Sequence, residues 1–370
     1  MDLVKNIEDK IKRALVEAAQ GAKEAGRLDF ESLPDFVLEV PKDKNHGDFA
    51  TNLAMLLARQ AKKAPRQIAE ILVQHFNTAG TDVQQVEVAG PGFINFKLNK
   101  AWLYQVIPTV INAGEDFGRT NVGGGMKVQV EFVSANPTGL LHMGNARGAA
   151  LGDTIANLLE AAGYDVTREY YINDAGNQIE KFGQSLEARY FQALGRDVPF
   201  PEDGYHGQDL IDTVKAFIDL YGDKYLSAPE EERREALVQY ALKEKLDNIK
   251  KALEEFGVEY DVWFSEQSLH DSGEVKRAIE LLQEKGYIYE KDGALWFKTT
   301  EFGDEKDEVV VRANGVPTYF AADIAYHLNK FERGFQWVIN LWGADHHGHV
   351  ARMKGAVSAL GYDPQRLDVV

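Results

Sequence analysis

Two groups of residues in this sequence have the types and spacing to do chemistry. The first is Ser134-Ala-Asn-Pro-Thr-Gly139, followed by His142-Met-Gly-Asn145. Proline and glycine force a turn there, and the apolar positions after Gly144 recur at helical spacing up to Gly163. The unpaired amides and positive dipole end of a helix opening at this point suit phosphate. His142 adds a donor, and Gly144 lets a flat base lie against the backbone. The second group is acidic. Tyr319 and Asp323 are four apart and share a face if helical, while Glu266 and the pair Asn173-Asp174 each end an apolar run. The Asp323 carboxylate with Tyr319 one turn away suits a planar guanidinium, which takes bidentate partners and stacks on rings. Blander roles compete: Asn173 or Asp174 as a helix N-cap, and Asp323 as compensation for a helix dipole. A third block, Asp345-His-His-Gly-His349, has the composition of a metal site. Nothing else in the chain volunteers ligands to complete one, and the block follows a strand end and a glycine, the same kind of place where the other candidate residues emerge.

The elements that must carry these residues follow from periodicity. Met126 to Val133 and Asp165 to Ile172 are β-branched and aromatic runs, predicted as strands with a helix between them. Two successive βα units imply a doubly wound parallel sheet, in which ligands sit beyond the carboxyl ends of the strands. Residues 178–255 are charged and helical, an insertion between the halves of the sheet. A short strand then ends at Glu266, a hairpin turns at Lys291-Asp-Gly293, and Trp337 to Trp342 is a buried strand. Ahead of all this lies a separate α+β module over residues 1–115. It has a helix to Ala25, a strand at Phe36 to Val40, helices over Phe49 to Ala61 and Pro65 to Asn77, and a hairpin around Ala89-Gly-Pro-Gly92. Trp102 to Asn112 is predicted as a connecting helix, and residues 116–370 form the larger domain.

The motifs resemble a known family in their order. Ser134 to Asn145 resembles the HIGH motif of class I aminoacyl-tRNA synthetases in the form found in arginyl-tRNA synthetases, with Asn145 where the family usually has a second histidine. Asn45-His-Gly-Asp-Phe-Ala-Thr-Asn52 and Gly90-Pro-Gly-Phe-Ile-Asn95 resemble that family's additional N-terminal domain, and Gly343-Ala-Asp-His-His347 its later catalytic element. The resemblance implies a Rossmann-like, HIGH-type nucleotidyltransferase fold. It implies ATP, brought with Mg²⁺ and with no tightly bound metal, on Pro137, Thr138, Gly139, His142, Gly144, Asn145, Gly343, Asp345, His346 and His349. Of these, His142 and Asn145 would act in catalysis. L-arginine would be held by Glu131, Ser134, Asn136, Asn173, Asp174, Glu266, Tyr319, Asp323 and His346. Ser134 and Asn136 would take its backbone end, and Glu266, Tyr319 and Asp323 its head. The N-terminal module would meet the elbow of tRNA(Arg) through Lys62, Lys63, Arg66, Phe93 and Asn95.

Composition agrees with such a reading and excludes others. Cysteine is absent, which rules out a disulfide framework and thiolate metal sites. No apolar run reaches the roughly 18 residues of a membrane span, and the start is no signal peptide, so a cytoplasmic protein with no membrane partner is expected. A monomer is a separate expectation, on which the residues themselves are silent. Net charge is −17, unevenly spread. Residues 1–120 hold 15 basic and 16 acidic residues, and the rest 26 and 42, an acidic excess that suits a cationic substrate. The expected function is therefore arginine activation and transfer to tRNA(Arg). The alternatives are another class I synthetase or HIGH-type nucleotidyltransferase, and an inactive tRNA-binding fragment. No Lys-Met-Ser-Lys element occurs, Arg352-Met-Lys354 being a chance echo within a helix, and no anticodon-binding helical domain follows. An N-terminal portion of a longer enzyme is expected, one that fails to aminoacylate alone.

Overall fold

The computed structural model describes residues 3–343 and 347–370. The chain divides into two compact units, Met1–Thr120 and Asn121–Val370.

In the first unit, α1 (Leu3–Glu24) lays Ile7, Ile11, Leu15, Ala18 and Ala22 on one buried stripe. Strand β1 (Phe49–Thr51), helices α2 (Leu53–Ala61) and α3 (Pro65–His75), and the hairpin β2 (Val83–Ala89) and β3 (Phe93–Leu98) complete its core. The sheet order is β1-β3-β2, antiparallel.

Three local expectations fail here. Phe49 to Thr51 is strand, not helix, because the Asp48 carboxylate takes the Leu98 amide at 2.7 Å and draws this segment onto β3. Phe36 to Val40 makes a single bridge, Glu39 to Ala50. Pro41, lacking an N–H, stops the ladder there. The helix expected at Trp102 to Asn112 is two short ones, α4 (Ala101–Tyr104) and α5 (Val106–Ala113). Pro108 cannot donate to the Tyr104 carbonyl, so the run breaks. Gly47 is the residue the Asn45–Asn52 motif cannot replace: its φ is +89° and a Cβ would sit 2.5 Å from the Phe96 carbonyl oxygen.

The second unit begins with β4 (Lys127–Glu131), α6 (Met143–Ala161) and β5 (Asp165–Ile172). Helices α7 (Asn177–Ala193), α8 (Gln208–Tyr221) and α9 (Glu230–Glu255) follow, then β6 (Val262–Ser265), α10 (Glu266–Asp271) and α11 (Glu274–Glu284). A small antiparallel sheet, β7 (Ile288–Lys291), β8 (Ala294–Phe297) and β9 (Glu308–Val311), leads to α12 (Tyr319–Glu332), β10 (Trp337–Asn340), α13 (His347–Leu360) and β11 (Leu367–Val369). The main sheet runs β11-β10-β4-β5-β6 and every pairing is parallel. This is the Rossmann-like arrangement the two βα units imply. Strands β4, β5 and β6 step one way and β10 and β11 the other, so the order reverses between β4 and β10. Open parallel sheets bind ligands beyond the carboxyl ends at such a point.

Alternation along the strands divides the sheet into two faces. Val128, Val130, Phe132, Tyr170, Ile172 and Ile339 join Ala149 and Ala156 of α6 and Ile249 and Leu253 of α9 in one apolar cluster. Gly152 lets α6 press onto Phe132, where a Cβ would meet the ring at 2.2 Å. The alternate residues Glu131, Glu169, Tyr171 and Asn340 meet α12 instead, through Tyr326, His327, Lys330 and its C-cap residue Arg333. This is a buried polar layer.

Candidate active site

Beyond β4 the backbone turns sharply. Val133 and Ser134 have φ of +66° and +40°, and the Ser134 amide donates to the Phe132 carbonyl at 3.0 Å. That closes a three-residue turn with a β-branched residue in left-handed conformation at its centre, a strained geometry. The Ser134 hydroxyl accepts the Tyr171 amide at 3.1 Å, and the Asn136 side-chain oxygen accepts Asn173 Nδ2 at 3.1 Å. The carboxyl ends of β4 and β5 are thus tied together, with Asn136 exposed and Pro137 buried beneath it.

Helix α6 opens in a capping box. His142 Nδ1 accepts the Gly144 amide at 3.1 Å, and the Asn145 side-chain oxygen accepts the His142 amide at 3.0 Å. The imidazole proton therefore lies on Nε2, at the exposed edge. Of the first amides, those of Gly144 and Asn145 are already bonded, Asn145 to the His142 carbonyl at 2.9 Å. A phosphate arriving here would meet the His142 ring before the Gly144 amide. Asn145 has an evident structural role: Asn145→Ala is expected to lower unfolding free energy by about 1 kcal/mol, read as a shifted urea midpoint at unchanged slope.

The acidic group converges from four elements. Glu266, at the start of α10 and 8% exposed, is hydrogen-bonded by the Tyr171 hydroxyl and lies near Asp323 and Asp174. Burial pushes its carboxyl up to about 7, and Asp323 and Asp174 add to the rise against the pull of the Tyr171 bond. The Tyr171 phenol is raised for the same reason, burial first and then Glu266 and Asp323. Asp174 uses both oxygens on α10, accepting Ser265 Oγ at 2.6 Å and the Gln267 amide at 2.9 Å. Asp174 is not the N-cap of the helix that follows it, which starts after Gly176; it braces the start of α10, whose N-cap is Ser265. Asp323 meets His349 Nε2 at 3.1 Å, and Tyr319, 67% exposed, has its ring 6.2 Å from that imidazole. His349, grouped in the sequence with the nucleotide side, stands against the acidic side here. Among the described residues, the hydrogen-bond partners of these carboxylates are hydroxyls, an amide and His349, with no lysine or arginine.

Below this group lies the polar layer that motif reading missed. Lys330 Nζ, wholly buried, donates to Glu131 at 2.5 Å and to Asn340 at 2.8 Å. Asn340 Nδ2 donates to His327 Nε2 at 2.9 Å, so His327 carries its proton on Nδ1 and donates it to the Asp323 carbonyl at 2.8 Å. Burial, then Lys330, holds His327 well below its ordinary pKa, and it stays neutral. Arg333 grips Glu169 with two bonds of 2.6 and 2.7 Å, and Tyr326 donates to the same carboxylate at 2.7 Å. Burial alone would push Glu169 up; Arg333, Lys330 and Tyr326 outweigh it and hold the carboxyl below its usual range. A signal was present: Asp323, His327 and Lys330 recur at helical spacing on one helix.

Glu131 is therefore a buried partner of Lys330. Gly343 is exposed at the end of β10, while Asp345 and His346 lie outside the described residues. In the first unit Lys62 and Lys63 are exposed, Arg66 donates to the Gly90 carbonyl at 3.1 Å, and Phe93 is at the surface. Asn95 is buried within β3, opposite Ala50 and Glu87.

Residues 5–98 match the family described as Arginyl tRNA synthetase N terminal domain. Residues 107–201 and 217–370 match tRNA synthetases class I (R), catalytic domain. The arginine–tRNA ligase of Moorella thermoacetica is 67% identical over all 370 residues, and that of Desulfitobacterium hafniense strain DCB-2 is 66% identical over the same length. The chain spans 66% of the length of each of these relatives. The Thermus thermophilus arginyl-tRNA synthetase structure, 22% identical, shares the fold over 97% of this chain and 65% of its own, with a TM-score of 0.57. With the two family matches taking in most of its sequence, the chain belongs to the class I arginyl-tRNA synthetases.

Proposed function

We propose that the protein acts in ATP-dependent activation of L-arginine and its transfer to the 3′ end of tRNA(Arg). The observation that carries this reading is the convergence of Glu266, Asp323 and Tyr171, met by His349 and His270 but by no lysine or arginine among the described residues. Such a group is incomplete until a cation enters, and a guanidinium matches it in charge and shape. In this reading Tyr319 and His349 flank the head of the substrate, and Ser134, Asn136 and Asn173 take its ammonium and carboxylate end. Asp174 acts from behind, holding Glu266 at the start of α10.

The reaction requires the arginine carboxylate to attack the α-phosphate of ATP in line, with pyrophosphate leaving; the terminal ribose hydroxyl of the tRNA then displaces AMP from the adenylate. No side-chain nucleophile is needed, so the work is positioning and charge stabilisation. His142 Nε2–H would donate to the phosphate, and Pro137, Thr138, Gly139, Gly144 and Gly343 would shape the nucleotide floor. Mg²⁺ travelling with ATP would neutralise phosphate charge. Lys62, Lys63, Arg66 and Phe93 would meet the tRNA elbow, with Asn95 supporting the sheet beneath. A cytoplasmic monomer is consistent with this role, and no described helix is long and apolar enough to cross a membrane.

Calorimetric titration with L-arginine and with citrulline, its uncharged isostere, tests the reading. Arginine is expected to bind about a hundredfold or more tighter, because citrulline leaves buried carboxylates unpaired. Asp323→Asn is expected to remove most of that difference. Equal binding of the two ligands would overturn the assignment.

A further inference from the structure

The turn at the end of β4 is strained, and it is held from outside at three points. Val133 sits at φ +66° and Ser134 at +40°, a pair of conformations that a β-branched and a small polar residue adopt only when their surroundings impose them. Just before the turn, the Tyr260 hydroxyl donates to the Phe132 carbonyl at 3.1 Å, sharing it with the Ser134 amide. Just after it, the Tyr170 hydroxyl donates to the Ala135 carbonyl at 2.9 Å. Between them the Tyr171 amide holds the Ser134 hydroxyl.

The two phenols are themselves fixed. Tyr260 stacks on Phe132 at 4.6 Å, Tyr170 stacks on Trp263 at 4.3 Å, and the two tyrosines meet edge to face at 5.4 Å. They come from the strand next to β4 and from the segment before β6, so the clamp depends on the sheet being assembled.

We infer that Tyr260 and Tyr170 are positioning residues for amino-acid binding: their hydroxyls hold the strained turn that presents Ser134 and Asn136 at the strand end. Both side chains pack in the apolar cluster on the α6 side of the sheet. Each acts through a backbone carbonyl. The inference rests on the function proposed above and adds to it two residues whose chemistry lies behind the site.

The test uses Tyr260→Phe and Tyr170→Phe in the complete polypeptide, which keep the rings and remove only the hydroxyls. Calorimetric titrations with L-arginine and with ATP are run on each. The dissociation constant for arginine is expected to rise about three- to tenfold, the range of one lost hydrogen bond, with that for ATP changed less than about twofold. Adding Val133→Gly to Tyr260→Phe is expected to recover part of the loss, since glycine takes a positive φ without a Cβ clash. A tyrosine that only fills the core would show a lower melting temperature without this selective, repairable loss. If the unsubstituted protein binds arginine and both Phe variants keep its affinity, the clamp is overturned while the functional reading stands. If the unsubstituted protein binds no arginine, the functional reading fails first.

Discussion

Lys330→Met is expected to cost about 3–5 kcal/mol of unfolding free energy, the largest loss from any single change considered. The ammonium is completely buried, bonded to Glu131 and Asn340, and 4.2 Å from the centre of the Tyr326 ring. Methionine fills a similar volume but leaves the Glu131 carboxylate buried without a counter-charge. Charge burial, not the lost contacts, sets the size of the effect. Adding Glu131→Gln is expected to recover a large share, because a neutral amide needs no counter-charge. Urea unfolding with a constant slope supplies both numbers. A loss below about 1 kcal/mol for the single change would show that water reaches Glu131 and that the layer under the site is not dry. The same change should loosen the Asp323 turn, since Lys330, Asn340 and His327 form one chain ending on the Asp323 carbonyl.

Arginine affinity is expected to rise about tenfold between pH 6 and pH 8 and then level off. Burial raises the Glu266 carboxyl to about 7, so near neutrality much of it is protonated until a cation arrives. Guanidinium stabilises the ionised form; binding therefore releases a proton, and raising the pH through 7 removes that cost. Titrations in buffers of different ionisation enthalpy should show fractional proton release near pH 7 and almost none at pH 9. Glu266→Gln should flatten the profile and weaken binding throughout. Stability without ligand runs the other way. Because the folded carboxyl is raised above its unfolded value of 4.5, the folded chain holds more protons between the two values. Stability from this group is full below pH 4.5 and falls as pH rises to about 7. Above pH 7 the glutamine variant should be more stable, by about 3 kcal/mol for a shift of this size. A site that weakens the free protein and is relieved by its ligand fits a binding role. An affinity flat from pH 6 to 8 would assign Glu266 to structure alone.

Much of this is legible in the sequence itself. Strands with β-branched runs, a Pro/Gly turn and a helix opening on His142-Met-Gly144 are local patterns, and local sterics write them directly into sequence. The parallel sheet followed from two βα units in succession. The insertion and the hairpin at Lys291-Asp-Gly293 showed the same way. Errors arose where a long-range partner outvoted local preference: β3 claimed Phe49 to Thr51 for the sheet although those residues run into a helix.

What tertiary structure alone decided is which face of each strand is dry. Val128-Gln-Val-Glu131 alternates like a strand with one side in water, yet α12 covers that side, and Glu131 becomes the partner of Lys330. Polar residues in alternation carry no mark of whether water or a buried cation will face them; only the packing of a helix about 200 residues away supplies it. The same holds for His142, Asp174 and His349. Their types announced chemistry, but which atom each spends on a neighbour, and which it keeps for a ligand, is fixed by distances that exist only after the sheet closes.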